Sequence, residues 1–336
     1  MNISILASIW AHNLGDELIL KNEVTLLKQE FGLTSSFRVF SYDIKNPFFT
    51  DSHVQYREYF PIGIKNPKNI ARNIVNYFGF INTLLWSDMV VIGWGGIFYD
   101  NELQSTRSPL DSWLFRTRLA RILRKKIYFY GVSIDIKHPD NLEKISEIFK
   151  WAHKITVRND NSQDLLLKLG IESELIDDPV MFDNAWKNPQ NSSLIKALES
   201  KNFDMNDIKD INFSGKQVWF ALRKWYLSKS WSEQIEIAML KELFRHIEAS
   251  GWKIILLPHS FHPTDLQAND YEFLRQFEYK ITASMEETYQ CYTEQNLDIV
   301  FAQRLHSMIL SEAYQIPYVA LSYSKKTHGQ LKKLSR

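Results

Sequence analysis

Residues 89–100 read MVVIGWGGIFYD, and residues 126–132 read KIYFYGV. The unbroken apolar run at 89–92 has the character of a parallel strand buried on both faces. The second run follows a stretch of helical period at about 110–123, so the pair predicts a β-α-β unit. Outward from this centre the rhythm repeats. Strands are expected at 2–8, 37–42, 154–157 and 174–176, with helices at about 16–31 and 162–169. Between about 182 and 216 it weakens, with Pro189 and five asparagines from Asn184 to Asn206. It then restarts with strands at 218–222, 253–257, 297–301 and 318–321, and helices at 231–249, 268–277 and 305–314. We therefore expect an α/β protein with a first domain over 1–182, a linker region over 183–216 and a second domain over 217–336, its last helix packing back on the first. Two α/β halves in tandem predict a cleft between them, a usual place for ligands.

Composition narrows the function classes. With 336 residues the chain is long enough for about two domains. Forty Lys and Arg against 39 Asp and Glu leave a formal charge of +1, which argues against a protein that coats nucleic acid. The single cysteine, Cys291, excludes a disulfide framework and any multi-cysteine metal site, and fits a reducing compartment. No run approaches the ~20 apolar residues that cross a bilayer. The N-terminus lacks a basic start and reads as a strand, so a cytoplasmic location is expected. Ten Trp, 15 Tyr and 21 Phe read first as large core side chains, with the alternative that some line a sugar-sized cleft.

In open α/β sheets ligands bind beyond the carboxyl ends of the strands, so the residues after each strand matter most. After the first strand come Asn13, Gly15, Asp16 and Glu17. They read either as a capped turn or as a cleft with Asp16 placed to accept a hydroxyl proton. After MVVI come Gly95, Gly96 and Asp100, a loop whose glycines would let backbone approach a ligand. The spacing is G-x-G-G-x-x-x-D, not the G-x-G-x-x-G of a dinucleotide site. Arg158 follows the strand ending at Val157, beside a helix start, as does Arg223 after Leu222. His259, His262 and Asp265 invite a metal reading, but two prolines break the helix that such a site uses, and loop histidines near a ligand are the better reading. No metal is expected. Arg304, Leu305 and His306 open a helix, where N–H groups, a guanidinium and an imidazole would seat an anion. Three arginines at strand-to-helix turns suit a small ligand with several negative charges, phosphoenolpyruvate and nucleotide diphosphates alike.

The ordered set N-x-G-D-E (13–17), G-x-G-G-x-x-x-D (93–100), T-V-R-x-x-x-S (156–162), D-P-V (178–180), L-R (222–223), R-L-H-S (304–307) and L-S-Y-x-x-K (321–326) resembles the polysaccharide pyruvyl transferase family over nearly the whole chain. Asn159 stands where that family often has Asp, and Trp94 interrupts what is often a run of three glycines. The resemblance implies two Rossmann-like domains facing across a cleft, a GT-B-like fold. It implies transfer of a pyruvyl (carboxyethylidene) group from phosphoenolpyruvate, a co-substrate with no further cofactor, to two hydroxyls of a sugar in a cell-surface polysaccharide or its precursor. It associates Arg223, Arg304 and His306 with the donor, Arg158 with another basic position and Asp16 with a carboxylate near the acceptor; we expect Arg223, Arg304, Leu305 and Arg158 to bind the donor, with His306 and Asp16 as catalytic groups. Asn13, Gly15, Glu17, Gly95, Gly96, Asp100, His259 and His262 fall to the acceptor or its loops. A glycan acceptor, lipid-linked in some members, is the implied partner.

Two alternatives keep the architecture: a glycosyltransferase using a nucleotide sugar, and a non-catalytic glycan-binding relative. A basic, apolar-faced helix within 113–126 is a second expectation. It would either lie on an anionic leaflet at the inner face of the membrane or pack on the sheet with a solvated basic side.

Overall fold

The computed structural model describes residues 1–7, 12–41, 44–45, 47–59, 70–100, 109–183, 193–199, 217–224, 233–263, 266 and 269–322. It separates into two units, one of Met1–Ala11 with Asp16–Pro179, the other of His12–Gly15 with Val180–Arg336. In the first, a seven-stranded sheet holds β1 (Asn2–Ala7), β2 (Ser36–Ser41), β3 (Val54–Glu58), β4 (Met89–Tyr99), β5 (Lys126–Asp135), β6 (Lys154–Val157) and β7 (Glu174–Leu175) in the order 3-2-1-4-5-6-7. All pairings are parallel. The helices are α1 (Leu14–Phe31), α2 (Ile70–Trp86), α3 (Pro109–Ile122), α4 (Leu142–Phe149) and α5 (Asp160–Lys168).

The MVVI run explains the layering. Successive side chains of a strand point to opposite faces. Met89 and Val91 join Leu20, Val24 and Leu27 of α1 in one core. Val90 and Ile92 join Phe80 and Leu84 of α2 and Ala120 of α3 in the other. Burial on both faces leaves no polar position in the run.

The second unit restarts the pattern. Here β8 (Leu194–Glu199), β9 (Gln217–Ala221), β10 (Lys253–Leu256), β11 (Lys280–Ile281), β12 (Ile299–Ala302) and β13 (Tyr318–Ser322) form a six-stranded sheet ordered 11-10-9-12-13-8, parallel throughout. Its helices are α6 (Glu233–Ala249), α7 (Asp270–Leu274), α8 (Met285–Thr293) and α9 (Leu305–Ala313). Its core gathers Val218, Phe220, Phe244, Leu256, Phe301 and Val319.

Three expectations change. The residues read as a linker contain β8, which pairs with β13 along the sheet edge. The strand LIKALE is the one apolar run in a stretch otherwise rich in Asn and Ser, which is why the segment reads as irregular. The helix expected at 268–277 is a single α-helical turn, α7, continued by a 3-10 turn at Arg275–Phe277. The strand expected to stop at Ile92 continues to Tyr99. The terminal helix and the L-S-Y-x-x-K residues beyond Ser322 lie outside the described residues.

In α3 most of the apolar side is spent internally. Trp113 is buried, and Leu114, Leu119 and Leu123 pack against the core. Its cations are engaged too. The Arg116 guanidinium lies 4.6 Å from the Tyr59 ring and 4.7 Å from Trp113, and Arg118 donates to Glu147 at 2.7 and 2.8 Å. Arg121 stacks 3.3 Å from the centre of Trp151. The geometry is that of a helix packed on the sheet, with Phe115 and Ile122 left exposed.

Candidate functional site

In the second unit β9 and β12 are neighbours, with Ala221 opposite Ala302, so the residues that leave them emerge side by side. The Gln303 and Arg304 amides donate to the Ala221 carbonyl at 3.0 and 3.3 Å. The Arg223 amide donates to Gln303 Oε1 at 2.9 Å. These bonds pin the L-R and R-L-H segments together, with both arginine side chains partly exposed.

Arg304 is the N-cap of α9, which carries no side-chain cap. Its Nε donates to Asp270 Oδ2 at 2.7 Å and its Nη2 to Oδ1. Asp270 is 1% exposed, and Oδ2 also accepts the His259 amide at 3.3 Å. A two-point pair with a buried carboxylate fixes the guanidinium plane. One whole edge of the Arg304 fork is therefore committed to Asp270. Its structural effect is to tie the start of α9 to α7 and to the turn after β10.

His259 is 1% exposed. Its Nε2 meets Tyr292 Oη at 3.1 Å, and that hydroxyl meets Ser307 Oγ at 2.7 Å. Burial first, then the charges of Arg304 and His306, hold its pKa well below the usual value, so the ring is neutral. The expectation of a ligand-facing loop histidine is corrected here, because a buried ring bonded to Tyr292 is part of the core. His262 stays partly exposed, with its carbonyl accepting from Asn269 Nδ2 at 2.9 Å. Asp265 lies outside the described residues.

The same unit includes residues 12–15. Asn13 forms an antiparallel bridge with Ser260. The Leu14 amide donates to the His259 carbonyl at 2.8 Å, and the Phe261 amide to the His12 carbonyl at 2.8 Å. Asn13 Oδ1 accepts the Gly15 amide at 3.1 Å, closing an Asx turn. A Cβ on Gly15 would overlap the His306 ring at Nδ1. Glycine is thus required at 15 because the imidazole occupies the side-chain volume. Two motifs nearly 300 residues apart in sequence, N-x-G and R-L-H, meet at one point.

The candidate residues of the first unit divide differently. Arg158 donates from Nε to Ser133 Oγ and from Nη1 to Asp178 Oδ2, both at 2.8 Å. Asn159 caps α5 by accepting the Ser162 amide and donates to Ser133 at 2.9 Å. Ser162 in turn receives the Ile134 amide at 2.8 Å. The T-V-R-x-x-x-S and D-P-V motifs are therefore halves of one lattice that joins β5, β6 and α5. The Arg158 guanidinium thereby pairs with Asp178, which is 3% exposed.

Asp100 is also committed. It accepts the Lys137 and His138 amides at 2.6 and 2.8 Å and Asn141 Nδ2 at 3.0 Å. Burial alone would raise its pKa, but these bonds outweigh it and hold the carboxylate below its ordinary range. That makes Asp100 a clamp on the turn after β5 instead of a loop group facing an acceptor. The glycine loop is likewise strand. Gly95 pairs with Val132 and Phe98 with Ile134, so β4 has one residue more than β5 across this step, a bulge. Gly95 takes φ +105° and Trp94 φ +40°. The Trp94 indole lies over Gly131, where a Cβ would collide with it. Gly95 and Gly96 remain partly exposed. In the first turn of α1, Asp16 is partly exposed while Glu17 is buried beside Tyr56.

Sequence reasoning missed Asp270, Gln303, Tyr292 and Ser133, whose partners are 15 to 80 residues away and leave no local signal. It missed Glu23 as well. That α1 carboxyl is fully buried against Gly93, neither oxygen has a hydrogen-bond partner among the described residues, and burial drives its pKa well up. Among the described residues no group of three His, Cys, Asp or Glu could hold a metal ion.

No curated protein matches the chain. Among solved structures, a Listeria monocytogenes protein assigned as a UDP-N-acetylglucosamine 2-epimerase aligns with TM-score 0.51 and 10% identity over 98% of this chain and 81% of its own. The Neisseria meningitidis UDP-GlcNAc 2-epimerase bound to UDP-GlcNAc aligns with TM-score 0.50 and 10% identity over 100% and 91%. At that identity the likeness shows the fold alone, a GT-B-like α/β class with two Rossmann-like sheets. The family model of polysaccharide pyruvyl transferase matches residues 13–325. That span runs from the Asn13 turn through the R-L-H segment packed against it, and the chain belongs to the polysaccharide pyruvyl transferase family.

Proposed function

We propose that the protein transfers the pyruvyl group of phosphoenolpyruvate to two hydroxyls of a sugar, forming a ketal and releasing phosphate. The observation that carries this reading is the seat of His306. Its imidazole rests on Gly15 in the first turn of α9, with Arg223 at the end of the neighbouring strand.

Arg223 and the start of α9 bind the phosphate and carboxylate. Arg304, held by Asp270, orients that helix start. His306 as imidazolium protonates the methylene carbon, so the C=C electron pair becomes a C–H bond and C2 becomes cationic. One sugar hydroxyl attacks C2, the bond from C2 to the phosphate oxygen breaks, and the second hydroxyl closes the ketal. Of the two hydroxyl protons, one restores the imidazolium and the other leaves with phosphate. Asp16, next in sequence after Gly15 and partly exposed, is our assignment for the group that relays the second of these protons to the leaving phosphate. Glu17, being buried, is not.

The acceptor is a cell-surface glycan or its precursor, in keeping with the family. The test measures phosphate release from phosphoenolpyruvate across a panel of sugar acceptors. His306→Ala should lower turnover by about 10²–10⁴-fold. Near-normal turnover in that variant removes His306 from the role. In parallel, thermal stabilisation by UDP and not by phosphoenolpyruvate would transfer the donor assignment to a nucleotide sugar.

A further inference from the structure

Helix α2 reads IARNIVNYFGFINTLLW. One side is ordinary: Phe80, Thr83 and Leu84 are buried, and Phe80 and Leu84 pack into the core of the first unit. The other side is not. Ile70, Ile74, Val75, Phe78 and Leu85 are between 54% and 69% exposed, and Tyr77 is exposed as well. Positions 70, 74, 78 and 85 fall on one stripe of a 3.6-residue repeat, so these side chains form a continuous apolar face on a helix about 25 Å long. Scattered exposed apolar residues are normal in a folded protein, but a contiguous face of this kind marks an interaction site. Among the described residues nothing covers it.

The charges around this face indicate what does. The helix carries no Asp or Glu, and its one charged residue, Arg72, is paired with Glu58. Two cations contact its carboxyl end, against one acid, Asp88, which accepts the Asn2 amide at 2.8 Å. Lys125 Nζ donates to the Leu85 and Ser87 carbonyls at 3.0 and 2.7 Å. The Arg38 guanidinium lies 4.2 Å from the Trp86 ring. Arg124 and Lys126 flank Lys125 in sequence. Ile122, 74% exposed, adds an apolar group from the end of α3.

We infer that α2 is a membrane-docking helix, lying in the plane of an anionic leaflet with its apolar face among the acyl chains and the cations around Lys125 on lipid headgroups. A second copy of the chain is the poorer occupant. Two α2 faces set together would meet the basic end of one copy with a helix that has no acidic residue to receive it. The surface shares only the end of the 113–126 segment that the sequence pointed to, since Trp113, Leu114, Leu119 and Leu123 are used inside the protein.

Flotation of the full-length protein with vesicles tests this. Phosphatidylglycerol at about one lipid in three, in phosphatidylcholine, should carry the protein upward at low salt. Neutral phosphatidylcholine vesicles should not, and about 0.5 M salt should weaken the binding. Ile74→Glu with Phe78→Glu should cut the bound fraction by about tenfold or more, whereas Phe115→Glu, on α3, should not. Because the altered side chains are exposed, thermal melting and phosphate release with a soluble acceptor should be unchanged, which separates this result from any failure of the proposed activity. The inference is overturned if wild type stays unbound, if the double substitution leaves flotation intact, or if sedimentation shows a dimer that the double substitution dissolves.

Discussion

Gly15 and His306 share one volume, and that makes a residue-scale test. Gly15→Ala forces its methyl group into the imidazole, so it should lower both melting temperature and turnover. In a His306→Ala background the obstruction is gone, and Gly15→Ala should then leave the melting temperature almost unchanged. A cycle in which the two effects simply add would show that the residues do not touch. Glu23 offers a second test. Its folded pKa lies well above the ordinary 4.5, so the folded state binds the proton more tightly than the unfolded chain does. Below about pH 4.5 both states are protonated and there is no penalty. As pH rises from there towards the folded pKa, stability is lost, and above that pKa the full penalty stands. Glu23→Gln removes it. Melting temperature should therefore rise by roughly a few degrees at pH 8 and change little near pH 4. An equal shift at both values would exclude ionisation as the cause. Neither residue's setting was legible in the sequence. Gly15 reads as a turn former, and the ring that demands it lies at the other end of the chain.

At the scale of elements, two buried ion pairs decide how strands and helices are joined. Arg158–Asp178 links the end of β6 to the residues after β7, and Arg304–Asp270 links α9 to α7. Removing one member of a buried pair strands the other charge. Asp178→Ala should therefore destabilise the protein by about 3–5 kcal/mol in denaturant unfolding, and Arg158→Met with Asp178→Leu by much less. The motif residues were visible in the sequence, yet their roles were not. An arginine at a strand end looks the same whether its partner is a bound anion or an aspartate twenty residues on. The strands were read well where burial on both faces makes them unbroken apolar runs, as in β4, β5 and β9. Among the edge strands β7 was expected, whereas β3, β8 and β11 were not. The extension of β4 through its glycines was hidden because Gly-Trp-Gly-Gly carries the signature of a turn. A bulge accommodates it within the sheet instead.

At the scale of the whole molecule, both sheets place their first five strands in the order 3-2-1-4-5, counting β9 as the first of the second set, and each has its own core. The division into two α/β halves followed from the rhythm of the sequence alone, because that rhythm lapses between the halves and restarts. Separate cores predict two resolvable transitions in calorimetry. If phosphoenolpyruvate binds through Arg223 and the start of α9, it should raise only the transition of the second unit, by about 2.7 kcal/mol at a hundredfold excess over its dissociation constant. Movement of the other transition alone would place the donor elsewhere.

The interlock of Gly15 with the His306 ring also reaches beyond this one chain. A lineage that discards the imidazole loses the steric reason for a glycine thirteen residues past its second residue, and drift can then fill that place with any side chain. Paired loss at the two columns would mark descendants that have kept the scaffold and abandoned the chemistry, recognisable from genome data before any assay is run.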